Sequence, residues 1–237
     1  MQAITSVSKT ESGFVDGLKA GVSIAVGYMP VALTFGLLAR SSGLSLYEAV
    51  LMSVLVFAGA AQYITLSLLA MGTGAFEIIF TIFIVNIRHL LMSASINEKV
   101  LEDSIWKKAL FAFGITDETF TVAATKTGTL RTGYMYGLCL ISYSSWVAFT
   151  GVGYVAGASL PGVVQQGMSV ALYAMFVGLL VPSAKKSRKV LFLAGIAALL
   201  NSLFTMAHLS TGWSIVLATL LSSVVVERMM GRVYNGK

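Results

Sequence analysis

Two short stretches hold most of the residues able to do chemistry in this 237-residue chain. IFIVNIRHLLMSAS, residues 82–95, places Asn86, Arg88 and His89 in an apolar run, and AFGITDETFTVAA, residues 112–124, places Asp117 and Glu118 in another. A guanidinium takes a carboxylate, a carboxylate takes an ammonium or a proton, and an imidazole relays protons near neutral pH. On a helix, Asn86, His89 and Ser93 share one face while Arg88 points about 100° away; Asp117 and Glu118 diverge by a similar angle. A third stretch, VFAGAAQYITL, offers Phe57, Gly59 and Gln62, with Gly59 among small residues that permit close helix approach or local unwinding. In the first apolar run Gly27 and Pro30 are candidate helix breaks. Carbonyls freed by Pro30 would hold an ammonium beside the Tyr28 hydroxyl.

The elements that must position these residues are membrane helices. The chain is 57% hydrophobic and 11% charged, against about 25% charged for a soluble domain. Apolar runs fall at about 14–39, 44–71, 76–96, 109–125, 132–156, 163–182, 189–208 and 212–226, against roughly 17–25 residues per span. The expected fold is therefore all-α and polytopic, with about eight transmembrane helices. Each ionisable group inside a span costs about 2.5–3.5 kcal/mol on insertion scales, which marks Arg88, Asp117 and Glu118 as functional candidates.

Charge placement sets the orientation. With eight spans and a cytoplasmic N-terminus, eleven Lys and Arg lie inside (Lys9, Lys19, Lys126, Arg131, Lys185, Lys186, Arg188, Lys189, Arg228, Arg232, Lys237) and four outside (Arg40, Lys99, Lys107, Lys108). Both termini are then cytoplasmic, and no signal peptide is expected in the polar first 13 residues. The net charge of +6 sits in short clusters between apolar runs, which reads as membrane anchoring and not as nucleic-acid binding. A lone Cys139, with no CxxC, HExxH or GxSxG, points to no metal, cofactor or enzyme motif. At an offset of 116, ten identities over 42 positions, among them Gly17/Gly133, Gly21/Gly137 and Thr34/Thr150, suggest two weakly similar four-helix halves, about 14–125 and 130–226, in one domain. Parallel repeats are a transporter plan, with the site between halves.

Five pieces in order, GLKAGVSIAVGYMPVALTFG, SVLVFAGAAQ, NIRHLLMSAS, FGITDETF and SYSSWV, give a chain that resembles the AzlC family, the large subunit of bacterial branched-chain amino-acid exporters that work with a small membrane subunit, AzlD. The resemblance implies secondary active export of valine, leucine, isoleucine or analogues from the bacterial cytoplasm, with an AzlD-like partner. Its shared polar positions fall on Pro30, Gly59, Gln62, Arg88, His89, Asp117 and Glu118. Asn86 stands where some relatives carry an acid, which leaves Asp117 or Glu118 as the partner for Arg88.

A zwitterion needs a cation for its carboxylate, an anion or carbonyls for its ammonium, and apolar walls. The expected substrate site comprises Arg88, Asp117, Glu118, Gln62, Asn86, Phe57, Gly59 and Tyr28. Asp117, Glu118 and His89 are the proton-coupling candidates, and Gly27, Pro30 and Gly59 the helix breaks. The alternatives are a carrier of another small zwitterionic or anionic metabolite, an intramembrane enzyme using His89 with Asp117, or a passive channel; the missing rings of like charge speak against the last.

Overall fold

The computed structural model describes residues 13–101, 103–157 and 187–234, with single positions between 163 and 185. The expected sixth span at 163–182 therefore lies outside the described residues apart from those positions. Nine α-helices are described: α1 (Phe14–Ser41), α2 (Leu46–Leu55), α3 (Gly59–Ala70), α4 (Ala75–Asn97), α5 (Ile105–Phe113), α6 (Asp117–Thr125), α7 (Thr132–Ala156), α8 (Arg188–Met206) and α9 (Thr211–Tyr234). Five of them, α1, α4, α7, α8 and α9, are long and apolar enough to cross a membrane. The chain is an all-α multi-pass membrane protein.

Two of the expected spans are each a pair of short helices. The run at 44–71 divides into α2 and α3 around Val56, Phe57 and Ala58, and the run at 109–125 falls into α5 and α6 around Gly114, Ile115 and Thr116. Helices of 9 to 12 residues are about 14–18 Å long, roughly half of a ~30 Å hydrocarbon layer. Gly59 does stand at a break, as the first residue of α3. Gly27 and Pro30 do not interrupt α1, which runs on to Ser41. The Thr34 hydroxyl donates to the Pro30 carbonyl at 2.8 Å; the carbonyl that Pro30 leaves without its helical donor is that of Val26, one turn earlier.

The chain divides into two compact units, residues 1–29 with 88–149, and 30–87 with 150–237. In the first, α1 and α7 run parallel: Gly17 lies against Tyr134 and Leu138, Gly21 against Leu138 and Ile141, and Ser145 Oγ donates to Ala25 O at 2.7 Å. A Cβ on Gly17 would sit 2.0 Å from the Tyr134 carbonyl oxygen, and one on Gly137 2.1 Å from that of Phe14, so only glycine permits this backbone approach. The loop after α4 pairs with the start of α7, Leu101 N donating to Leu130 O and Leu130 N to Lys99 O, both at 2.9 Å. From that loop the Lys99 ammonium donates to the carbonyls of Ala123, Ala124 and Lys126 at the end of α6. A cation at a helix C-terminus also meets the negative end of the helix dipole.

In the second unit, a buried hydroxyl-amide chain links three helices: Gln62 Nε2 donates to Ser53 Oγ at 3.1 Å, and Ser53 Oγ and Thr150 Oγ1 are 2.9 Å apart. Tyr63 donates to the Val31 carbonyl at 2.7 Å and packs edge-on against Phe35. Ser45 and Glu48 form a capping box at the start of α2. The start of α9 is capped from another helix, because Glu77 Oε1 on α4 accepts from Ser210 Oγ and, at 3.2 Å, from the Trp213 amide. Phe80, one turn on, packs against the Trp213 ring.

Candidate substrate and ion site

The first unit brings together five of the expected residues: Tyr28, Arg88, His89, Asp117 and Glu118. Their meeting place is the interruption between α5 and α6. Gly114 lets the chain turn out of α5 tight against α7, where its α-carbon faces Cys139. Thr116 then takes an extended conformation (φ −122°, ψ 175°) and caps α6: its Oγ1 accepts from Thr119 N, while Thr119 Oγ1 accepts from Thr116 N. Asp117 and Glu118 become the first two residues of the new helix, where the dipole and exposed amides favour negative charge. Carboxylates that would be costly in the middle of a span thus occupy the one helical position suited to them.

The two acids have different partners. Asp117 Oδ2 pairs with Arg88 NH1 at 2.9 Å, and these side chains keep 32% and 42% of their surface open, so a ligand can reach the pair. Glu118 Oε2 accepts from the Tyr28 hydroxyl at 2.6 Å, and the same hydroxyl lies 2.7 Å from Thr116 Oγ1. Tyr28 is buried and held edge-on by Trp146, ring centroids 5.2 Å apart. Arg88 Nε is buried without a hydrogen-bond partner among the described residues, a donor left over after Asp117 is served. His89 is half-buried, in the field of Arg88, Asp117 and Glu118 and beside the Ile115 backbone. A cavity of about 440 Å³ lies on the α7 side of the break, lined by Phe111, Phe113, Gly114, Cys139 and Tyr143 among others.

Of the remaining expected residues, Gly27 lies in the first unit, and Pro30, Phe57, Gly59, Gln62 and Asn86 belong to the second. Gln62 is fully buried in the Ser53–Thr150 chain, Phe57 is buried in the α2–α3 interruption, and Gly59 opens α3. Asn86 Oδ1 is buried without a partner among the described residues. Two contributors were not expected from the sequence. Thr116, the cap that also touches Tyr28, was signalled by its place before two acids with Thr119 at the third helical position. Lys99, which holds the far end of α6, carried no local signal. Among the described residues no cluster of His, Cys, Asp or Glu suits a metal.

Residues 23–160, which contain every expected site residue, match the family model described as AzlC protein. The chain belongs to the AzlC family. Among its relatives, the inner membrane protein YgaZ of Escherichia coli is 31% identical over 196 residues, covering 79% of this chain and 80% of that protein. An uncharacterized membrane protein of Archaeoglobus fulgidus is 37% identical over 182 residues, 76% of this chain and 80% of its own length. The branched-chain amino acid transport protein AzlC of Bacillus subtilis is 23% identical over 171 residues, 71% of this chain and 66% of that protein. No solved structure matches. Membership in the AzlC family agrees with the resemblance carried by the five sequence pieces, and the all-α multi-pass architecture agrees with relatives named as membrane proteins.

Proposed function

We propose that the chain is a secondary active transporter that exports branched-chain amino acids across the bacterial cytoplasmic membrane. It exchanges them for protons and works with a small AzlD-like membrane subunit. The observation that carries this reading is the Arg88–Asp117 pair with Glu118 beside it, set at a break between two half-length helices. Irregular backbone at membrane depth is tolerated where it lines a cavity, and transporter sites are commonly built from such interrupted helices. Arg88 binds the substrate carboxylate through the exposed part of its guanidinium, an acid at 117 or 118 binds the ammonium, and the cavity beside Gly114 accepts the apolar side chain. On this reading His89, in the field of both acids, passes a proton to or from them. The name of the Bacillus subtilis relative supports the substrate class. Both termini are cytoplasmic on the charge count, and the chain is built as two half-repeats with a parallel relation, consistent with the parallel course of α1 and α7.

The test is counterflow in proteoliposomes, with and without the small subunit. Labelled valine or leucine enters vesicles preloaded with the unlabelled amino acid faster than empty ones, and Arg88→Gln lowers the rate at least tenfold. Equal rates in loaded and empty vesicles would indicate a channel, and no flux of any branched-chain amino acid would end the assignment.

A further inference from the structure

The two adjacent acids are not equivalent. From their partners we infer that Glu118 alone is the exchangeable carboxylate, occupied in turn by the substrate ammonium or by a proton, so that competition for one group couples the two flows. This rests on the proposed transport reading and says which residue performs the coupling.

Arg88 and Asp117 form an ion pair, which leaves Glu118 as the carboxylate in excess. Its hydrogen-bond partner among the described residues is a hydroxyl, that of Tyr28. Tyr28 has one hydroxyl proton and gives it to Glu118, so the 2.7 Å contact to Thr116 must be filled by the Thr116 hydroxyl donating to the Tyr28 oxygen. The chain runs Thr116 to Tyr28 to Glu118, each link donating forwards. A proton arriving on Glu118 Oε2 reverses it: Glu118 donates to Tyr28, Tyr28 to Thr116, and the Thr116 hydroxyl turns towards Thr119 Oγ1, 3.4 Å away. An arriving ammonium needs no reversal, because it donates to Glu118 while the tyrosine bond stays in place. Both states are satisfied by Glu118, Tyr28, Thr116 and Thr119, and neither needs Arg88 to release Asp117. A carboxylate that accepts a proton or an ammonium, but not both charges together, makes transport an exchange: substrate leaves the site on one side when a proton replaces it there.

The titratable and charged groups around Glu118 are Tyr28 from α1, His89 from α4, and the Arg88–Asp117 pair beside it; from α7, Trp146 packs against the Tyr28 ring and carries no titratable group. His89 is the rival proton site, and the experiment separates the two. Binding of labelled valine to purified protein in nanodiscs is measured between pH 5 and pH 9. For the wild type, competition by one proton raises the apparent Kd about tenfold per pH unit on the acid side of the midpoint. Glu118→Gln keeps an oxygen to accept from Tyr28 but cannot take a proton, so its binding is weaker and flat with pH, and its valine–valine exchange no longer responds to a pH gradient. Glu118→Asp restores the slope, while Asp117→Asn weakens binding and His89→Gln alters rates, each with the slope kept. A slope that survives in Glu118→Gln, or that disappears in His89→Gln or Asp117→Asn, overturns the inference and leaves the transport reading standing. Wild-type protein that binds no branched-chain amino acid at any pH overturns both.

Discussion

Side chains one residue apart do different work in this molecule because the backbone between them starts a helix. Asp117 and Glu118 differ by one methylene, yet one meets a guanidinium and the other a phenol. A third acid, outside the spans, shows how strongly local partners act. Asp103 accepts from the Lys107 ammonium at 2.9 Å and from the Ser104 amide at 2.8 Å, and with Thr132 these bonds hold its carboxyl down from 3.8 to about 2. A depressed carboxyl contributes to stability above its free-chain value and loses that contribution as pH falls through its folded one. The carboxyl signal of Asp103 should therefore titrate near pH 2 by NMR in detergent, and Lys107→Met should move it back towards 3.8; an unchanged titration would mean that the ammonium is not the main cause. At this scale the sequence was legible. Arg88, His89, Asp117 and Glu118 stand out because charge is rare in an apolar chain, and Arg88 was expected to pair with one of the two acids. Which of them it is depends on the direction in which α6 leaves its cap, and residue type does not encode that.

Helix α6 is nine residues long, too short to be stable by itself, and it is fastened at both ends. Thr116 and Tyr28 hold its start, and Lys99 holds its final carbonyls. Lys99→Met removes the charged donor and leaves those carbonyls unpaired, at a cost of about 1–3 kcal/mol. The expected outcome is a lower unfolding temperature of the solubilised protein, largely restored by Lys99→Arg; an unshifted temperature would show that water serves those carbonyls as well. The interruption before α6 was hidden because FAFGI and FTVAA are apolar on both sides, so the run reads as one span of adequate length. The capping pattern of Thr116 and Thr119 was the available sign. The break before α3 had none, since Ala58 offers no side chain to cap with. Pro30 misleads in the opposite sense: a residue that ends helices in water lies inside a helix of 28 residues.

The long helices of the whole molecule were read from length and hydropathy alone, since a bilayer leaves few other ways to satisfy a backbone. Contacts between distant segments were not legible, and Glu77 is the clearest case. It lies in the first turn of α4 and supplies the acceptor for the start of α9, more than 130 residues away in sequence. Gly212 makes the approach possible, since a Cβ there would stand 2.6 Å from the Glu77 carboxylate oxygen. Glu77→Leu leaves the Ser210 hydroxyl and the Trp213 amide without that acceptor, a loss of about 1–3 kcal/mol. It should lower the thermal stability of the solubilised protein by more than Glu77→Gln does; equal effects would mean that the negative charge, and not its acceptor oxygens, is what the helix start uses.

The same contact bears on how the protein is made. Helix α9 leaves the ribosome after α4, and its first turn borrows its acceptor from that earlier helix. Until α9 docks on α4, the Trp213 amide has to find water or a headgroup in place of Glu77, so the start of α9 is completed on a surface that the earlier chain must already have formed. A copy in which α4 has inserted wrongly would carry an unfinished α9, open to the membrane proteases that clear misassembled chains.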